Sequence, residues 1–365
     1  MSPNQRICPA GFILLTLIAL TLGFGVYILC STVLIAQDGV RYIVYAQQFT
    51  EHPIDVVKGS YLFGHSLLMY LTRIGLTELG ISDSAERWIV SGQIVSLLCR
   101  VLSLIPLYLI GKKLVGCRHS LWGLLILVVL PYPMEFGSDV LRDWPHVLFL
   151  ATGMALLIYG AQGRHWGLFA AAGITAGLGQ TIRPECPQIV IYGLLWLIPD
   201  FFFITMRGLR AKTTASVLVL LVGFAIPAVP YFMLKGSVLP KKAEDLISLK
   251  CPDPSKADPE VSCKEQTKAV IVNAGVLPGT LGASWRLLQQ TSANLMHFFT
   301  IPWAIGLFLR FRKPGKVFRT ERFFIIVLLF LYGVMLVLLH IHYGYISKRH
   351  CLPVVVFTIF YIPIG

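Results

Sequence analysis

Apolar residues in this chain fall in long unbroken runs, not in alternating or one-faced stripes. Runs of about 15–25 residues, sized to cross a hydrocarbon layer, occupy 12–36, 89–110, 120–136, 145–161, 166–182, 186–206, 215–234, 293–309, 323–342 and 351–365. Backbone groups inside lipid must be satisfied within their own segment, so such runs are read as helices. The ten-residue alternating segments of a membrane β-barrel are absent. The pattern predicts an all-α integral-membrane bundle of about ten transmembrane helices, forming a single domain over residues 1–365. Polar residues concentrate in three external loops, 37–88, 135–144 and 235–292. Within the first, 61–71 is apolar but too short to cross twice, and predicts a helix lying in the interface with Tyr and Phe at headgroup depth. No inverted internal repeat is visible, which argues against a secondary transporter.

Composition agrees: 56% of residues are hydrophobic and 13% charged, with a mean hydropathy of +0.72. The net charge of +13 changes the picture only through its distribution. With the N-terminus inside, one face carries 14 Lys and Arg, among them Lys112, Lys113, Arg310, Arg312, Arg319 and Arg322, against only Asp200 and Glu321. The other 17 bases meet 16 acids. This is the positive-inside pattern, which orients the N-terminus to the cytosol and makes anionic lipid, not nucleic acid, the partner of the basic loops. The first run lacks a small-residue cleavage site and is read as a retained anchor. Cys251 and Cys263 share one external loop, where they could form a disulfide in an oxidising compartment or remain free thiols. No cysteine spacing suggests a metal site.

The acids gather on the external face. Asp38 opens the first loop, with Arg41 three residues on. A carboxylate there can act as a general base, and an arginine one helical turn away can hold a phosphate. The competing reading is an N-cap with an interfacial salt bridge. Asp139 and Asp143 flank Arg142 in the second loop, near His146; they could form a second carboxylate centre, or Asp143 could simply cap the next helix. Arg183-Pro184-Glu185 is either a phosphate site or an ion pair at a kink. His65, His340, His342 and His350 individually read as packed side chains. Lys348-Arg349 lies on the external side against the charge trend, which points to an anionic ligand.

The order of these motifs resembles the GT-C superfamily of integral-membrane glycosyltransferases, in particular the protein mannosyltransferase and aminoarabinose transferase branch (glycosyltransferase family 39-like). Asp38-Gly39-Val40-Arg41-Tyr42 resembles the family's Asp-Glu-x-Arg-Tyr motif, with Gly39 where many members carry a second acid. Gly64-His65-Ser66-Leu67-Leu68, Ser138 to Pro145, Leu178 to Glu185 and Lys348 to Pro353 resemble the family's later motifs. The resemblance implies an inverting glycosyltransferase with a polyprenyl-phosphate sugar donor, a lipid, glycan or protein acceptor, and an active site on the external face. It implies Asp38 as the base, assisted by Asp139 or Asp143, and Arg41, His65, Arg183 and Arg349 as donor-phosphate ligands. No cofactor is required, although a divalent metal remains compatible. A lipid-linked sugar flippase or other transporter, or a non-catalytic membrane scaffold, is the alternative.

Overall fold

The computed structural model of the chain describes residues 10–31, 35–59, 61–79, 85–163, 165–203, 207–236, 279–312 and 319–365, and among them every regular element is helical. Cys251 and Cys263 lie outside the described residues.

The chain begins with α1 (Ala10–Ser31). The polar stretch that follows folds into three shorter helices, α2 (Gln37–Gln48), α3 (Pro53–Lys58) and α4 (Gly64–Glu78). The apolar stretch expected at the interface is the first half of α4. Next come α5 (Ala85–Leu114), α6 (Cys117–Val129), α7 (Pro131–Phe136), α8 (Asp143–Gly163), α9 (Trp166–Gln180), α10 (Gln188–Phe203) and α11 (Arg207–Lys235). The remainder comprises α12 (Thr280–Asn294), α13 (Thr300–Arg312), α14 (Arg319–Tyr343), α15 (Lys348–Thr358) and a closing 3-10 turn at Ile359–Ile364.

Among the described residues, five helices are long and apolar enough to cross a bilayer: Ala10–Ser31, Glu86–Leu114, Asp143–Gly163, Ala211–Lys235 and Arg319–Ile341. Other expected spans are helical but shorter. Run 120–136 breaks because Pro131 disfavours helical backbone at Leu130, which is extended at φ −67°, ψ 123°; Pro131 then starts α7. Run 293–309 breaks because Met296 and His297 take left-handed backbone, φ 57° and 58°, between α12 and α13. The hydroxyl of Ser292 holds that corner, 2.8 Å from both His297 Nδ1 and Thr300 Oγ1.

One apolar core runs from α1 to the closing turn and centres on α5, α6 and α8, where Leu107, Leu124, Leu150 and Phe360 are sealed from solvent. The glycines of α9 allow backbone contact with α11, as the packing of small residues in lipid requires. Arg100 is 1% exposed in the middle of α5, its Nη2 donating to the Val128 carbonyl at 3.1 Å. That carbonyl lies in the last turn of α6, where it lacks a helical partner, so the buried cation satisfies the end that Pro131 cuts off.

Candidate active site

The connection 137–142 between α7 and α8, within the loop expected at 135–144, does not stand clear of the bundle. Ser96 Oγ donates to the Leu141 carbonyl at 2.8 Å, Val140 is fully buried, and Trp144 Nε1 donates to the Pro133 carbonyl at 2.8 Å. The loop therefore lies beside the N-terminal half of α5. It also carries α2 on its back: Asp139 Oδ1 accepts from the amides of Ala36, at 3.2 Å, and Val140, at 2.7 Å. Ala36 is the residue from which α2 starts, and it makes no side-chain cap of its own. An aspartate 103 residues away does part of that work. Burial pushes the Asp139 carboxyl above its ordinary range, against the pull of these two amides.

Asp38 is thereby freed from the capping role that spacing alone allowed. It sits in the first turn of α2, half-exposed, and its Oδ2 is 3.2 Å from Arg349 Nη2. This contact joins α2 to α15, 311 residues later. The start of α15 is fixed by a reciprocal cap between Ser347 and His350, and by Asn294 Nδ2 donating to the Lys348 carbonyl at 2.8 Å. Lys348 places its ammonium 3.5 Å above the Tyr132 ring of α7. Arg41, one turn beyond Asp38, donates to Tyr61 Oη at 2.9 Å.

Gly39 departs from the family-like motif for a packing reason. A Cβ there would come within 2.7 Å of Ile35 Cγ2 and 2.9 Å of the Val140 carbonyl oxygen. The slot has no room for an acidic side chain.

Behind this group lies a second, buried one. Arg183 and Asp143 form an ion pair with both side chains almost fully covered, and Glu185 approaches Arg183 Nη1 at 3.9 Å. Burial alone would lower the Arg183 pKa, but Asp143 and Glu185 outweigh it and raise it further. Burial also opposes charge on Glu185, yet Arg183 holds its carboxyl below the ordinary value. His146, one turn beyond Asp143, is buried with Nε2 unpartnered. The guanidinium of Arg142 lies 5.7 Å from the centre of the Tyr42 ring, and its Nη1 approaches the Ile182 carbonyl at 3.5 Å.

Tyr42 links the two groups. It packs edge-on against His65 at 5.1 Å, and its carbonyl accepts from Ser66 Oγ at 3.1 Å. His65 is 0% exposed with neither ring nitrogen partnered, and burial lowers its pKa to about 3, so it is neutral near pH 7. Gly64 donates its amide to the Thr181 carbonyl at 2.8 Å, and a Cβ at Gly64 would meet Thr181 Oγ1 at 2.3 Å. The motifs at 64–68 and 178–185 are thus in direct backbone contact.

The structure brings Asp38, Asp139 and Arg349 near one another, with Arg41 beside them on Tyr61. It places Asp143 and Arg183 together behind them, and His65 behind Tyr42. Arg100 was not singled out from the sequence, while Tyr42 and Tyr61 entered only as members of a motif and of an apolar stretch. The only signal for Arg100 was a lone arginine inside an apolar run, which in lipid is itself a mark of a special site. Among the described residues, no group of three or more His, Cys, Asp or Glu is arranged to hold a metal ion.

Residues 83–232 match the family model described as dolichyl-phosphate-mannose-protein mannosyltransferase. No curated protein sequence matches the chain. The matched segment runs from the start of α5 into α11 and contains Asp139, Asp143 and Arg183. Asp38, Arg41, His65 and Arg349 lie outside it. The match supports the likeness to GT-C membrane glycosyltransferases drawn from the order of the motifs.

Proposed function

From the premise that residues 83–232 carry a dolichyl-phosphate-mannose-protein mannosyltransferase signature, we propose that this chain transfers a sugar from a polyprenyl-phosphate donor to an acceptor at the face bearing Asp38. One observation supports the reading: the Asp38–Arg349 contact at 3.2 Å, which sets a half-exposed carboxylate beside a cation. The acceptor is a nucleophile on a lipid, glycan or protein.

The acceptor oxygen forms a bond to the anomeric carbon as the bond from that carbon to the phosphate oxygen breaks. The acceptor proton passes to the Asp38 carboxylate, and the bonding pair leaves on the polyprenyl phosphate. Attack from the face opposite the leaving group inverts the anomeric centre. Negative charge grows on the departing phosphate, so cations placed there lower the barrier more than an acid would. Arg349 and Arg41 supply them, Arg349 exchanging its contact with Asp38 for one with the phosphate. Asp139 positions Asp38 by holding the start of α2. Asp143 and Arg183 support the loop from behind, and His65 supports Tyr42. The scheme routes no step through a metal.

In this reading residues 1–365 are one transmembrane unit of about ten crossings. The N-terminus is cytosolic and Asp38 faces the periplasmic or luminal side.

The decisive experiment uses membranes carrying Asp38→Asn and a labelled polyprenyl-phosphate sugar. Loss of a positioned general base is expected to slow transfer by about 100-fold or more. Full transfer by Asp38→Asn would remove Asp38 from the reaction.

A further inference from the structure

Ser347 is the N-cap of α15, and Lys348, Arg349 and His350 are its first three residues. In the usual reciprocal cap the residue three beyond the serine is Glu or Gln, whose side chain reaches back to the N-cap amide. Here that residue is a histidine. The Ser347 amide donates to His350 Nδ1 at 3.3 Å, and the Ser347 hydroxyl lies 2.7 Å from the same nitrogen. A backbone N–H can only donate, so Nδ1 must offer a lone pair. The ring is therefore neutral, with its proton on Nε2. Protonation would turn Nδ1 into a donor and set two N–H groups against each other.

The residue that this cap places is Arg349. It lies between the two capping residues in sequence, and its Nη2 reaches Asp38 Oδ2 at 3.2 Å. From α12, Asn294 Nδ2 holds the carbonyl of the peptide that precedes it at 2.8 Å. The His350 ring packs against Tyr345, 5.6 Å between centres. The charges that act on it are Arg183 and Glu185 from the connection between α9 and α10, Asp143 from α8 and Arg349 from its own helix. Burial, and after it Arg183, lower the ring pKa to about 4 against the opposite pull of Asp143 and Glu185.

We propose that neutral His350 is a positioning residue for Arg349, so that the order of the first turn of α15 and the binding of the donor phosphate weaken together in acid. The donor half rests on the reading of Arg349 as a phosphate ligand; the cap does not. His350 acts through Arg349 and the backbone, not on the reacting atoms. Below pH 6.5 an opened first turn takes up a proton that the closed turn refuses until about pH 4. Stability of the turn is therefore full above pH 6.5 and is lost as the pH falls, with opening favoured by about 5-fold between pH 6.5 and 5.5.

The test follows two quantities in the full-length protein in detergent, between about pH 7.5 and 5. One is hydrogen-exchange protection of the amides at 348–351, taken relative to the unfolded chain; the other is the affinity for a polyprenyl-phosphate sugar. In the unaltered protein both are expected to fall as the pH drops. His350→Gln keeps an acceptor for the Ser347 amide but cannot titrate, so it should preserve both quantities at neutral pH and flatten their pH dependence. His350→Leu removes the acceptor and should weaken donor binding by about 5-fold at every pH, with kcat little changed. Should His350→Leu fail to fold, the pH profile of His350→Gln carries the test. A pH dependence at 348–351 that His350→Gln leaves unchanged would overturn the proposal. Arg349→Gln tells two failures apart. If it leaves donor binding unchanged, Arg349 is no phosphate ligand and the donor half falls with that reading. If it weakens donor binding while both His350 variants match the unaltered protein at every pH, the reading of Arg349 stands and His350 has no positioning role.

Discussion

Two arginine–carboxylate pairs stand close together in this molecule and behave differently because of where water reaches. Asp143–Arg183 has side-chain exposures of 3% and 8%; Asp38–Arg349 has 47% and 31%. A buried pair is expensive to form and more expensive to break, because the survivor is left as an uncompensated charge. A half-exposed pair contributes at most about 1 kcal/mol and can exchange partners freely. The first suits a scaffold. The second suits a site that must release its arginine to a substrate phosphate.

The sharpest way to break this comparison is Asp143→Asn. It leaves Arg183 buried with Glu185 at 3.9 Å, and thermal denaturation in detergent should show a loss of about 3–5 kcal/mol. Replacing both partners with apolar residues of similar size should recover most of that loss. If Asp143→Asn is stable but inactive, the buried pair belongs to the chemistry and the two pairs have exchanged roles. Next in size is Gly39→Ala, whose added methyl meets the Val140 carbonyl oxygen at 2.9 Å and should cost about 1–3 kcal/mol through overpacking. A neutral result would mean that α2 can shift away from loop 137–142. Arg349→Gln should change stability by no more than about 1 kcal/mol. Its effect belongs in donor binding, a rise of about 10-fold in donor KM for one lost charge-assisted contact; a stability loss without a KM change would make it a scaffold residue.

The smallest effect concerns His65. Its native pKa of about 3 lies below the ordinary 6.5, so only the unfolded chain takes up its proton in between. Stability is full above pH 6.5 and falls as the pH drops from there towards 3, by about 1 kcal/mol between pH 6.5 and 5.5. His65→Gln should flatten that slope in melting temperatures measured across the same interval. An unchanged slope would place the titration elsewhere.

The helices were legible because an apolar run in lipid has no other way to satisfy its backbone. The places where they stop were harder to see. The run 120–136 was drawn past Pro131, and the left-handed corner at Met296 and His297 uses residues that carry no turn signal. The candidate motifs were legible as an order along the chain. Pairing was not. Arg41 is the neighbour of Asp38 in sequence, yet Arg349 is the arginine that reaches it. Asp139 and Asp143 look alike in sequence, but one receives the amide of Ala36 at the start of α2 and the other a buried guanidinium. Such assignments depend on which helices meet, information that lies in packing between residues 40 to 311 positions apart. Gly39 was visible as a departure from the family-like motif, and its cause, the carbonyl of Val140, lies in a different loop.

The span of 311 residues between Asp38 and Arg349 has a consequence for biogenesis. Chains are synthesised at about 5–20 residues per second, so roughly 15–60 s separate the emergence of the aspartate from that of the arginine. Throughout that interval α2 is already made and Asp38 is without its arginine. A ribosome that stalls within α14 therefore leaves a membrane-inserted chain whose Asp38 carboxylate faces no cation from α15, so synthesis of α15 is the step at which this long-range contact forms.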